Sequence, residues 1–187
     1  MYAPDHATWV EVPALAGTLC GLSRPVHFRG VCTVVLKLFM LAQPSLAVFG
    51  EKDWQQLAII KKMVSDLNVP VEVVGRPIVR EADGLALSSR NVYLTPEERA
   101  QAPQIRKSLE MAAGLAAGGE RDAARIIEAV RGYLAEHLPT GQEDYISIVD
   151  PAALTKVDRI GDAALCALAV RLGKARLIDN MLLKVGE

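Results

Sequence analysis

Between residues 31 and 75 the sequence alternates helix, strand, helix, strand with short links, and this succession constrains the fold more than any other feature. In VCTVVLKLFMLA (31–42), Val31, Val34, Val35, Leu38 and Leu41 or Ala42 recur at helical spacing, which predicts a buried helix ended by Pro44. SLAVFG (45–50) reads as a short, fully apolar strand with Gly50 at its exit. A second helix is expected over about 53–67, with Leu57, Ile60, Val64 and Leu67 on one face. Pro70 then opens VEVVG, a valine-rich strand. Such an order is the grammar of a parallel α/β sheet. The parallel half starts late, with few strands before Pro70, so the sheet is expected to be small or part of a larger one.

After Gly75 the pattern changes. RPIVREADGLALSSRNVYL is irregular, with a turn signal at Asp83-Gly84 and a polar SSRN cluster. Thr95-Pro96-Glu97-Glu98 predicts a helix start: Thr as N-cap, Pro at the first position, Glu three residues after the cap. That helix should run toward Leu115, disturbed near Pro103, and stop at Gly118-Gly119. Another is expected over about 121–137. EDYISIVD, ALCALAVRLG and KARLIDNMLL then read as three strands, the last two joined at Gly173-Lys174. The expected organisation is a parallel α/β domain over 1–77 and an α+β domain with antiparallel pairing over 78–187.

The bulk properties narrow the function class. The 187 residues are 51% hydrophobic with a net charge of −1, and the mean hydropathy is +0.20 with a pI near 6.3. That supports a core and gives no general attraction to nucleic acid or anionic membrane. Three cysteines without CxxC spacing fit a reducing cytosol and buried thiols. The longest apolar tract is too short to span a bilayer, and MYAPDHATW lacks the regions of an export signal. A soluble cytoplasmic protein is expected. The sequence holds no P-loop, GxGxxG, GxSxG or HExxH pattern.

Three clusters could carry chemistry. In FGEKDWQQL (49–57), Lys52 at a strand exit could meet a phosphate, with Gln56 four residues on over the same helix face. Asp53 as an N-cap with Gln56 as its partner accounts for the same residues structurally. In LSSRN (87–91), two hydroxyls and a guanidinium match the donors a polyphosphate needs, or form an ordinary polar loop. GLSRPVHFRGV (21–31) brings Arg24, His27 and Arg29 within six residues, either as an anion-gripping loop or as surface.

Taken in order, RPVHFRGV, KLF, FGEKDWQQL, READGLALSSRNVYL and RLIDN resemble the pantoate–β-alanine ligases, the pantothenate synthetase family. The resemblance runs through all 187 residues and selects the functional reading of residues 49–57. It implies an α/β fold: an incomplete Rossmann-like nucleotidyltransferase domain followed by a smaller α+β lid domain. It implies joining of pantoate to β-alanine with ATP and Mg²⁺ through a pantoyl-adenylate, usually by a homodimer. By motif, Gly50, Glu51, Lys52 and Asp53 touch ATP, with Lys52 on its phosphates. Val79, Leu87, Ser88, Ser89 and Arg90 meet the nucleotide from the second domain, and Lys52, Ser88, Ser89 and Arg90 are the catalytic set. Gln56, Arg24 and His27 border pantoate; no residue is assigned to the metal. The domain boundary becomes a hinge that lets the second domain exclude water.

The sequence departs from the family in places. The resemblance covers the family's C-terminal two-thirds, without its HIGH-like and NPxQF segments. The chain is therefore expected to be truncated, and a non-catalytic remnant that binds nucleotide weakly is the alternative. An exposed sheet edge and apolar helix surface, and a tendency to associate, are expected with it. Val26 stands where the family usually has a small residue, often Gly, and Met40 and Ser45 where it usually has Asn and Asp.

Overall fold

The computed structural model describes residues 1–186 and divides into two compact units, Met1–Pro77 and Ile78–Glu187. The first unit contains α1 (Pro13–Ala16), α2 (Cys20–Ser23), α3 (His27–Ala42), β1 (Leu46–Gly50), a 3₁₀ turn (Glu51–Asp53), α4 (Trp54–Asp66) and β2 (Glu72–Arg76). β1 and β2 pair in parallel, from Leu46 opposite Glu72 to Gly50 opposite Arg76, the arrangement the alternation of elements predicts. Nothing in the local periodicity announces α1 and α2, which are four residues each.

α3 is longer than its apolar run and covers a different face from the one expected. It starts at His27 and closes at Gln43, whose backbone is left-handed (φ 47°) and whose N–H donates to Phe39 O at 2.8 Å, a left-handed cap. Its buried residues are Phe28, Cys32, Thr33 and Phe39, whereas Leu38, Met40 and Leu41 face outward, Leu41 at 72% exposure. A helix apolar almost all round carries no phase that says which stripe its neighbours will cover. Nor is β1 buried on both faces: it alternates, with Val48 56% exposed and Phe49 turned toward the Phe39 ring. α4 buries Leu57, Ile59, Ile60 and Met63; Leu67, expected on that face, lies beyond its last turn and is exposed.

The second unit opens with a narrow hairpin closed by the Arg80–Ala86 bridge, its tip at Gly84 with φ 90°. A 3₁₀ turn (Asn91–Tyr93) leads to α5 (Pro96–Gln101), α6 (Gln104–Ala117) and α7 (Ala123–His137). The capping box is formed: Thr95 Oγ1 accepts from Glu98 N at 3.2 Å, and Thr95 N donates to Glu98 Oε2 at 2.9 Å. Pro103 separates α5 from α6, because a proline ring clashes with the preceding turn. β3 (Gly141–Val149), β4 (Ala163–Leu172) and β5 (Ala175–Lys184) follow as an antiparallel sheet in that order. β4 and β5 meet at Gly173, whose φ is 55°. α6 and α7 pack on one sheet face, setting Ile105, Leu109, Ile126 and Val130 in one core with Cys166, Leu168 and Val170.

Candidate functional site

The groups singled out from sequence are divided between the two units. In the first, both parallel strands end at the same level, Gly50 beside Arg76, and the chain turns from Gly50 through Glu51–Asp53 into α4. A Cβ at Gly50 would meet nothing within 4 Å, so packing does not demand glycine there. The open backbone at a strand's carboxyl end, followed by helix N–H groups, is a place where an anion can approach closely.

Lys52 is half-buried in that turn and Gln56 is half-buried in the first turn of α4. Asp53 occupies the N-cap position with φ −94° and ψ 56°, and its side chain makes no capping bond. The purely structural account of Asp53 and Gln56 as a capping pair is therefore not realised. Glu51 leans over Gly75, where an added Cβ would come within 3.0 Å of its carboxylate.

Gln55, which the sequence reading passed over, organises this end of the unit. It is 5% exposed. Its amide nitrogen donates to Leu15 O at 2.8 Å and Thr18 O at 2.7 Å, and its oxygen accepts from Cys20 N at 3.0 Å. One side chain thus pins the α1–α2 segment to the start of α4. The residue it brackets, Leu19, has φ 43° and ψ −120°, a conformation that L side chains rarely adopt. The signal for Gln55 was its phase, four and eight residues before the buried Ile59 and Met63.

Arg24 follows directly on α2 and is exposed; His27, half-buried, is the first residue of α3. Arg29, counted with them from sequence, is engaged elsewhere: it pairs with Glu11 at 3.4 Å and lies over the Trp9 ring at 5.0 Å. Among the departures, Val26 and Met40 are largely exposed, and Ser45 O accepts from Glu72 N at 2.9 Å.

In the second unit, Leu87 N donates to Val79 O at 2.9 Å, so the two stand side by side across the hairpin, both with exposed side chains. Ser88 turns the chain, its Oγ accepting from Arg90 N at 3.2 Å and its carbonyl from Asn91 N at 3.0 Å. Ser89 and Arg90 are exposed.

Beneath this loop lies a connected set of side chains. Arg80 donates to both oxygens of Asp179, at 2.7 and 2.9 Å, and to Gly84 O at 3.0 Å. Asp179 is 3% exposed, so the pair fastens the hairpin to β5. Asn91 Nδ2 donates to Glu81 Oε1 at 2.6 Å and Ala86 O at 3.2 Å. Arg99 reaches from α5 to Glu81, at 2.7 Å, and to Asp83. The Asn91 and Arg99 donors hold the Glu81 carboxyl below its usual range, and Arg99 does the same for Asp83. Sequence reading flagged READG and SSRN as motifs without anticipating that one braces the other.

No cluster of three or more His, Cys, Asp or Glu able to hold a metal occurs among the described residues. Burial pushes the Cys32 thiol up to about 11 and the Cys166 thiol up to about 12. Neither has the character of a nucleophile.

A family model described as Pantoate-beta-alanine ligase matches residues 1–182. The chain is 70% identical over 183 residues to a pantothenate synthetase of Nitratidesulfovibrio vulgaris (strain DSM 19637 / Miyazaki F), covering 98% of this chain and 65% of that protein. It is 60% identical to one from Maridesulfovibrio salexigens, with 99% and 66% covered. The chain thus spans about two-thirds of the length of these relatives. Among solved structures, a pantothenate synthetase from Thermus thermophilus superposes with a TM-score of 0.92 at 46% identity, covering 97% of this chain and 65% of that one. A pantoate-beta-alanine ligase from Francisella tularensis, complexed with beta-gamma ATP and beta-alanine, gives 0.70 at 30% identity, with 96% and 60% covered.

Proposed function

Because the chain belongs to the pantoate–β-alanine ligase family, we propose that it carries groups that join pantoate to β-alanine with ATP, through a pantoyl-adenylate. Its architecture is that family's: a nucleotidyltransferase-like unit with a parallel sheet, and a small lid domain with an antiparallel one. The observation that carries the reading is the open turn from Gly50 into α4, with Lys52 in it and Gln56 one helical turn on.

In the proposed reaction the pantoate carboxylate attacks the α-phosphorus, the bond to pyrophosphate breaks, and the acyl-adenylate forms. The β-alanine amine then attacks the acyl carbon, loses a proton, and AMP leaves. No protein nucleophile is needed, so positioning and charge neutralisation carry the catalysis. In the first unit, Gly50, Glu51, Lys52 and Asp53 bind ATP, with the Lys52 ammonium on its phosphates. Gln56, able to donate and accept, binds pantoate with Arg24 and His27. In the second, Val79 and Leu87 meet the nucleotide, and Ser88, Ser89 and Arg90 donate to its phosphates.

Mg²⁺ suits the chemistry; no three or more His, Cys, Asp or Glu cluster around a site for it among the described residues, and no step here depends on it. No helix among the described residues is long and apolar enough to cross a membrane. A cytoplasmic homodimer is part of the proposal.

The test is AMP release by the purified 187-residue chain, given ATP, Mg²⁺, pantoate and β-alanine. Release that requires both acids and is lost in Lys52→Ala is expected. Release that ignores either acid, or persists in the variant, or is absent from the folded wild type, overturns the reading for this chain.

A further inference from the structure

The Ser88–Arg90 loop carries little that would hold its own shape. Its bonds are few: Ser88 Oγ accepts from Arg90 N, Ser88 O from Asn91 N and Arg90 O from Tyr93 N, with Leu87 N on Val79 O just before it, and its neighbours Leu87, Val92 and Tyr93 are exposed. A loop of this kind samples many conformations unless something outside it fixes its ends. The side chain that does so is Asn91. Both of its amide hydrogens are used, one on Glu81 and one on Ala86 O, which ties the loop's last residue back to both strands of the hairpin that precedes it. Glu81 is in turn held by Arg99 of α5, and the hairpin by the Arg80–Asp179 pair.

The bonding pattern fixes the amide's orientation, because both partners of the nitrogen are acceptors. It leaves Asn91 Oδ1 buried without a hydrogen-bond partner among the described residues. A buried acceptor without a donor lowers stability, so the side chain is poorly explained as a stabiliser alone. Its geometry suits a clamp.

We propose that Asn91, with Glu81 and Arg99 behind it, is a positioning residue: it holds Leu87–Arg90 in the conformation that presents the two serine hydroxyls and the guanidinium to a nucleotide's phosphates, without touching the nucleotide. The inference rests on the reading of Ser88–Arg90 as phosphate ligands. The clamp itself can be examined without a ligand.

Two measurements on the purified chain separate these claims. Hydrogen exchange at residues 88–91 reports the clamp, and calorimetric titration with ATP reports its consequence. Asn91→Ala and Glu81→Ala are each expected to speed exchange at these amides and weaken ATP binding by about ten-fold, the equivalent of one lost hydrogen bond. Glu81→Gln, which keeps an acceptor for Asn91, should recover most of both. Ile126→Val on α7 serves as a control that loosens the core of this unit without touching the hairpin; it should change neither.

Unchanged exchange in Asn91→Ala refutes the clamp. Faster exchange with unchanged ATP affinity refutes its positioning role, and an equal effect of Ile126→Val reduces it to general stability. If the wild type binds no ATP while the Asn91→Ala loop still loosens, the phosphate reading fails and the positioning proposal falls with it.

Discussion

Replacing Gln55 with leucine should detach the α1–α2 segment from α4 while leaving the volume of the site nearly unchanged. The side chain makes three good bonds to backbone, to Leu15 O, Thr18 O and Cys20 N. Leu15 O keeps a donor, because the Thr18 hydroxyl also reaches it at 3.2 Å. Thr18 O keeps one too, from Gly21 N at 2.7 Å, so the chief loss is the bond from Cys20 N to the Gln55 oxygen. With three bonds lost but both carbonyls still accepting elsewhere, the variant should be destabilised by about 1–2 kcal/mol.

Both tryptophans of the chain, Trp9 and Trp54, lie in the first unit. Urea unfolding followed by tryptophan fluorescence therefore reports this unit by itself. Gln56→Leu is the matched control: adjacent and half-buried, it should shift the midpoint by less than about 0.5 kcal/mol. Equal effects of the two glutamine variants, or a Gln55→Leu effect below about 0.5 kcal/mol, would refute the clamp.

Three further outcomes follow from the second unit and the thiols. The depressed carboxyls of Glu81 and Asp83 contribute stability that is fully present above the ordinary carboxylate range and is lost as pH falls through their lower folded values. Calorimetric melts taken from about pH 6 to pH 3 should fall less steeply below about pH 4 in Glu81→Gln than in the wild type. Gly173→Ala should cost about 1–2 kcal/mol in thermal unfolding, because the residue sits at φ 55° and its new Cβ would collide with the Glu98 carboxylate, forcing Glu98 out of the α5 capping box. With its thiol pKa at about 11, Cys32 is about one part in a thousand thiolate at pH 8. Cys32 and the equally buried Cys166 should resist alkylation in the native protein and react only on unfolding, as read by mass spectrometry.

What the sequence made legible was what repeats or is chemically unusual at one position. The strand exit at Gly50 and the Thr95–Glu98 cap are local signals, and the structure contains both. The covered face of α3 was not legible, because Val31, Leu38 and Leu41 are as apolar as Phe28, Cys32 and Phe39; only the placement of β1 and α4 distinguishes them. Polar residues divide in a related way. Arg24, Asp53, Ser89 and Arg90 draw notice as clustered charges and hydroxyls, and they are exposed. Gln55, Asn91 and Asp179 make the bonds that hold such clusters in place, and their partners lie 5 to 99 residues away in sequence. A buried amide or carboxylate has no local signature, since its meaning depends on which backbone arrives beside it. In the proposed function the exposed groups set what is bound, while the inward-facing ones set whether those groups are held ready. A substitution at Gln55 or Asn91 can therefore impair the proposed chemistry while leaving every motif intact.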